Sequence, residues 1–215
     1  LALDEAGRTR LAESAVKAAV AAGYENAGTL EFLVDAEGNY YFIEINARIQ
    51  VEHPVTEMRS GIDIVAEQIR LAAGEELGYG QDAVRRLGHA IEFRINAEDL
   101  NDDFRPQAGL VEHYVPPGGA GIRMETHLYS GYEVPPYYDS LLGKLIVGGP
   151  DRDAAVARSR VALQALLVVG VETNIPFHRA SLRDVSFLSG GFDTNLLDRK
   201  GAAAFLAAVE PDQGA

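Results

Sequence analysis

The stretch Tyr41-Phe42-Ile43-Glu44-Ile45-Asn46-Ala47-Arg48-Ile49-Gln50-Val51-Glu52-His53-Pro54 decides how the rest of the chain is read. From Glu44 to Glu52 polar and apolar residues alternate without a break. An extended chain sends successive side chains to opposite faces, so Glu44, Asn46, Arg48, Gln50 and Glu52 would share one face. The same pattern suits the wet face of an ordinary half-buried strand. The residue types argue for more: two acids, two amides and an arginine, with no Lys, Ser or Thr. Full extension would also hold Glu44 and Glu52 about 26 Å apart at about 3.3 Å per residue, too far for one site. The chain is therefore expected to leave strand geometry soon after Asn46 and to fold Arg48 to Glu52 back.

Just upstream, Gly28-Thr-Leu-Glu31-Phe-Leu33-Val-Asp35 is followed by Ala36-Glu37-Gly38-Asn39. Two runs rich in β-branched and aromatic residues around a glycine turn read as a hairpin. A two-residue loop at Glu37-Gly38 sets Ala36 opposite Asn39, Leu33 opposite Phe42 and Glu31 opposite Glu44. Directly opposed side chains lie about 5 Å apart on one face, where two carboxylates repel unless a cation joins them. A hard cation such as Mg²⁺ takes one or two carboxylates and completes its shell with water and substrate phosphate. A longer loop or a slipped register would separate the acids.

Composition narrows the function classes. The 215 residues, 47% hydrophobic and 24% charged, fit one large domain or two small ones with a real core. The net charge of −13, from 32 acids against 19 Lys and Arg, argues against a nucleic-acid partner. An anionic substrate must then be held by a few placed arginines. With no cysteine, disulfides, thiolate metal sites and a cysteine nucleophile are excluded. No apolar run reaches the roughly 18 residues of a membrane helix, and no signal peptide is visible, so the expected location is cytoplasmic with no membrane partner. The first residue is Leu1, and the chain reads as part of something longer.

Further along, Thr9 to about Ala22 predicts an amphipathic helix with Leu11, Val16 and Val20 as its stripe and Gly23 as its stop. A second helix is expected from about Asp63 to Ala73, with Ile62, Val65, Ile69 and Leu71 inward. The glycine-rich, polar residues 74–88 read as a connection. Strands are expected at His89–Asn96, Gly109–Val115, Gly121–Tyr129 and Leu141–Val147, with Pro116-Pro-Gly-Gly-Ala-Gly121 as a plain hairpin loop. That loop lacks the Gly-Lys-Ser/Thr ending of a phosphate cradle. Asp151 should cap a helix to about Val169 that buries Val156, Leu163, Leu166 and Leu167, and a shorter helix follows Asn174-Ile-Pro176. The Ala-rich tail from Gly201 is expected to fray beyond Val209.

Arg94 sits mid-strand between Phe93 and Ile95, and Arg48 lies between Ala47 and Ile49 in the alternating run. A planar guanidinium suits a carboxylate-like or bicarbonate-like anion, and equally a structural ion pair with Glu52, Glu92 or Glu98. If Glu52 lies near Arg48 it can serve as a general base toward an arginine-bound anion. His53 reads as a structural hydrogen-bonding residue. His89, His113, His127 and His178 show neither metal-ligand spacing nor triad partners.

Four runs together carry a family resemblance. Asn26-Ala-Gly-Thr-Leu-Glu-Phe-Leu33, Tyr41 to Glu57 with its Arg-Ile-Gln-Val-Glu-His-Pro core, Gly88-His-Ala-Ile-Glu-Phe-Arg-Ile-Asn-Ala-Glu-Asp99 and Pro135-Pro-Tyr-Tyr-Asp-Ser-Leu-Leu-Gly-Lys-Leu-Ile146 resemble biotin carboxylase, the ATP-grasp component of acetyl-CoA and other acyl-CoA carboxylases. The resemblance covers about residues 9–198 and only the C-terminal half of that enzyme. It implies an α/β (α+β) chain: the end of an ATP-grasp domain over 1–80, a mostly antiparallel β C-terminal domain with packing helices over 88–198, and a tail over 199–215.

The resemblance implies carboxylation of biotin on a carrier protein, driven by ATP and bicarbonate through carboxyphosphate. Glu31 and Glu44, with Asn46 beside them, would ligate Mg²⁺ (or Mn²⁺) on ATP, and Leu33 would line the adenine pocket. Arg48, Gln50 and the backbone of Val51 would hold bicarbonate, Glu52 would take its proton, and Arg94 would stabilise the enolate-like biotin oxygen. Implied partners are the N-terminal ATP-grasp half, a biotin carboxyl carrier protein, carboxyltransferase subunits and a second copy of the full subunit. Two departures stand out: Phe104-Arg-Pro-Gln-Ala-Gly109 replaces the usual Phe-Leu-Pro-Ser-Pro-Gly, and no Met-Lys biotinylation motif occurs. Another ATP-grasp carboxylate–amine ligase is the rival enzyme reading, for which Arg94 and Pro-Pro-Tyr-Tyr-Asp would share no purpose. A non-catalytic docking or regulatory fragment of the same fold is the rival from a different class.

Overall fold

The computed structural model describes residues 3–201 and 205–206. The expected fraying beyond Val209 falls outside them. The chain divides into two compact units, Leu1–Arg86 and Leu87–Ala215. Its mixture of helices and antiparallel strands agrees with the expected class.

The first unit holds α1 (Glu5–Ala21), β1 (Thr29–Val34), β2 (Tyr40–Asn46), α2 (His53–Ser60) and α3 (Ile64–Ala72). Helix α1 starts a turn earlier than expected because Asp4 caps it, its carboxylate accepting from Gly7 N at 2.7 Å. Its stripe is not a buried one: Val16 and Val20 are 60% and 75% exposed. Helix α3 lies where the second helix is expected, with Asp63 as its cap, yet Val65 and Ile69 face solvent. Helix α2 was not foreseen, although Pro54 in its first turn and the left-handed Gly61 (φ 74°) at its end are ordinary helix punctuation.

The hairpin departs from expectation twice, and the departures cancel. Asp35 N donates to Asn39 O at 3.0 Å, so the loop is Ala36-Glu37-Gly38, with Gly38 at φ 83°. The Asp35 carboxylate accepts from Glu37 N, Asn39 N and Asn39 Nδ2, which fixes the turn and holds the carboxyl below its usual range. One extra loop residue slips the register, so Leu33 faces Tyr41 and Phe32 faces Phe42. A bulge then takes up Ile43, and Glu31 returns opposite Glu44. On the other face Phe32 meets Tyr40 and Phe42 edge-on at 5.9 and 5.8 Å, and Tyr40 reaches Ser14 of α1.

The second unit is built on a three-stranded antiparallel sheet. Strand Leu141–Gly149 lies between β3 (His89–Asn96) and Ile122–Thr126. Helix α4 (Arg152–Ala165), capped by Asp151, covers this sheet, and Phe93, Ile95, Leu145, Val147, Val156 and Leu163 form the core. Gly149 lets α4 approach, since a Cβ there would lie 2.6 Å from Ala155 N. The helix ends at Ala165, short of the expected Val169, because Leu167–Val169 pairs with His113–Val115 instead, leaving Leu167 exposed. Residues 116–121 therefore join strands of different sheets and are not a hairpin loop. Helix α5 (Ile175–Ser181) follows Asn174 as expected. Among the described residues no helix is long and apolar enough to cross a membrane.

Candidate active site

In the first unit β2 ends at Asn46, and the chain turns before entering α2 at His53. Glu31 and Glu44 stand opposite each other, and Asn46 Nδ2 bridges them, donating to Glu31 Oε1 at 2.8 Å and Glu44 Oε1 at 3.1 Å. Gln50 Nε2 donates to the same Glu31 oxygen at 2.8 Å. The segment beyond Asn46 thus folds back onto the carboxylate pair. Arg48, Gln50 and Glu52 line one cleft of about 220 Å³ with Gly28, His53 and Ile64. This is small for an organic ligand and roomy for a small anion. Val51 lies between these residues in sequence and is exposed. Glu52 is the N-cap residue of α2 but makes no side-chain cap bond.

His53 Nδ1 lies 2.7 Å from Gln50 O; a carbonyl only accepts, so this nitrogen carries the proton. The structural role expected for His53 is the one observed. The buried Glu57 accepts from Ile64 N at 2.9 Å and ties α2 to the start of α3. Neither α2 nor this brace leaves a signal in the alternation that dominates the stretch before it.

The carboxylate pair has the donor chemistry of a hard-cation site: two opposed acids and an amide on one face. Asn46 and Gln50 supply N–H groups that offset the repulsion between the acids. Leu33, 60% exposed, shares the face of Glu31 on β1.

Arg94 belongs to the second unit. It lies on β3 opposite Lys144, with its side chain exposed. Lys144 pairs with Glu125 at 2.6 Å, and Arg123 reaches the same carboxylate. Burial pushes the Glu125 carboxyl up, and the two cations outweigh it, leaving it below its usual range. The outer edge of β3 is held by Asn174: its Oδ1 accepts from Asn96 N at 3.0 Å and its Nδ2 donates to Arg94 O at 3.0 Å. The side-chain amide imitates a neighbouring strand at that edge. His178 Nε2 adds a second donor to Arg94 O at 2.8 Å. Burial pushes the His178 imidazole below its usual pKa, against the opposing effect of that bond. Glu98, one of the acids expected as an arginine partner, accepts from Asn96 Nδ2 and Ser140 Oγ.

Residues 92–199 match the family described as biotin carboxylase C-terminal domain, and residues 1–79 match the ATP-binding domain of the carbamoyl-phosphate synthase large chain. The chain belongs to the biotin carboxylase family. It is 52% identical over 196 residues to a biotin carboxylase of Nostoc, covering 91% of this chain and 44% of that one. It is 50% identical over 198 residues to a biotin carboxylase of Pseudomonas aeruginosa, covering 92% and 44%. Among solved structures, the biotin carboxylase domain dimer of Hydrogenobacter thermophilus 2-oxoglutarate carboxylase, in complex with MgADP, ADP and bicarbonate, superposes with a TM-score of 0.91 at 49% identity. That match covers 95% of this chain and 45% of the other. The chain spans less than half the length of these relatives.

Proposed function

We propose that this chain supplies the metal-, bicarbonate- and biotin-handling part of a biotin carboxylase, which carboxylates carrier-bound biotin at the expense of ATP. The observation that carries the reading is the Gln50–Glu31 contact, which brings the Arg48–Gln50–Glu52 cleft onto the carboxylate pair. Supporting it, the Hydrogenobacter relative is described with MgADP and bicarbonate bound.

In this reading Glu31 and Glu44, with Asn46 beside them, hold Mg²⁺ (or Mn²⁺), which when bound would offset charge on the ATP phosphates. Arg48, Gln50 and the Val51 backbone orient bicarbonate, and Glu52 removes its proton. The resulting carbonate oxygen bonds to the γ-phosphorus as the bond to ADP breaks, giving carboxyphosphate. Carboxyphosphate then breaks its C–O bond to give carbon dioxide and inorganic phosphate, the phosphate takes the proton of the biotin ureido nitrogen, and that nitrogen bonds to the carbon dioxide carbon. Arg94 stabilises the negative oxygen so formed. Leu33 contributes to the adenine pocket.

The exposed hairpin surface supports the partners in this reading. Leu33, Tyr41 and Ile43 are large, apolar and exposed together on the hairpin, a surface that the N-terminal ATP-grasp half would cover. The carrier protein, the carboxyltransferase subunits and a homodimer of the full subunit complete the assembly, in the cytoplasm. The test is to supply the N-terminal half in trans and assay carboxylation of free biotin. ATP- and bicarbonate-dependent product is expected; a folded, nucleotide-binding complex without it would contradict the reading.

A further inference from the structure

The second unit carries a group of arginines that the proposed chemistry does not use. Arg160 and Gln164 are one turn apart on α4, and Arg179 and Arg183 are one turn apart on α5 and the turn after it. These four side chains line a groove of about 240 Å³ together with the buried Leu182. Arg160 directs Nε and Nη2 to Leu182 O at 3.2 and 2.7 Å, and Arg179 directs Nε and Nη2 to Leu163 O at 3.1 and 2.8 Å. Each guanidinium is therefore clamped by a carbonyl of the opposite helix and keeps three of its five N–H groups for another partner.

Capping of helix C-terminal carbonyls explains why Arg160 and Arg179 point where they do. It does not explain Arg183, a third positive charge at the same groove. The helix C-terminal carbonyls carry only partial negative charge, so they offset the three cations only in part. In a chain where acids outnumber Lys and Arg 32 to 19, none of the three makes an ion pair among the described residues. The neighbouring Asp184 is occupied, capping Phe187 N and pairing with Lys200. Three like charges brought together, two of them pre-ordered by hydrogen bonds, are the arrangement that recognises a multiply charged oxyanion.

We propose that this groove binds an anion of the phosphate class, a phosphate or diphosphate group either free or carried by a nucleotide. The volume is below that of sites for drug-sized ligands and fits the charged group alone, with any remainder projecting outward. The clamped guanidiniums lose little rotamer freedom on binding.

The test is calorimetric titration of this chain with pyrophosphate in metal-free, low-salt buffer, repeated with inorganic phosphate and ADP. Saturable pyrophosphate binding is expected, weakened about tenfold or more by Arg183→Ala. Arg160→Lys, which keeps the charge and loses the fork, should weaken it as well. Arg105→Ala, at an arginine paired with Asp102, serves as the control and should leave binding unchanged. ADP binding tighter than pyrophosphate and equally sensitive to Arg183→Ala would identify the nucleotide as the source of the group; pyrophosphate binding at least as tight would identify the free ion. No saturable pyrophosphate binding, or equal affinity in a folded Arg183→Ala variant, would overturn the proposal.

Discussion

Gln50 Nε2 and Glu31 Oε1, nineteen residues apart, meet at 2.8 Å. The contact couples the end of the hairpin to the segment that enters α2, and it makes Gln50 both a wall of the Arg48–Glu52 cleft and a brace on the carboxylate pair. Gln50→Ala should therefore affect both ligands. In the complemented enzyme we expect the bicarbonate KM to rise and the apparent metal affinity to fall about tenfold or more. A rise in the bicarbonate KM alone would mean that Gln50 does not brace Glu31.

Opposed carboxylates cost stability when no cation joins them. Glu44→Gln should raise the melting temperature of the metal-free chain slightly, by an amount equivalent to about 0.2–1 kcal/mol. The same change should abolish metal-dependent turnover in the complemented enzyme. A variant that melts lower without metal, or turns over normally with it, would remove the metal assignment.

The role proposed for Arg94 is separable from those proposed for Arg48, Gln50 and Glu52 by the substrate each would act on. Arg94→Ala should lower biotin carboxylation by about a hundredfold, as for loss of one donor to a developing oxyanion. Bicarbonate-dependent ATP cleavage without biotin should change far less. Equal loss of both activities would refute a role confined to biotin.

His178 predicts a pH dependence of stability. Its folded pKa lies below the ordinary value of 6.5 because burial disfavours the imidazolium. The unfolded chain then binds the extra proton first, so stability is greatest above about pH 6.5 and falls as the pH drops toward 5. Thermal melts should show that decline, and His178→Gln should flatten it. A decline unchanged in His178→Gln would assign it to other groups.

Much of the site was legible from residue types. The residue types of the run Glu44 to Glu52 set it apart as a candidate site, and the span of about 26 Å for a straight strand required the turn that follows Asn46. Register was less legible. Nothing in Ala36-Glu37-Gly38-Asn39 distinguishes a two-residue from a three-residue loop, and Asp35 closing on Asn39 decided it. Glu31 and Glu44 still face each other because the bulge at Ile43 restores the slipped residue. Apolar stripes misled at Val16, Val20, Val65 and Ile69, where periodicity marks a face without saying what covers it. Asn174 was missed as a brace for Arg94, because a side chain that completes a sheet edge leaves no periodic signature.

In the proposed reaction Glu52, which lines the same cleft as Arg48, takes the proton from bicarbonate. The direct measurement is bicarbonate-dependent ATP cleavage by this chain complemented with the N-terminal half, comparing Glu52 with Glu52→Gln under saturating bicarbonate. The account predicts a fall in kcat of about 10²–10⁴-fold with nucleotide affinity retained. Cleavage at an undiminished rate by the Glu52→Gln enzyme would contradict it.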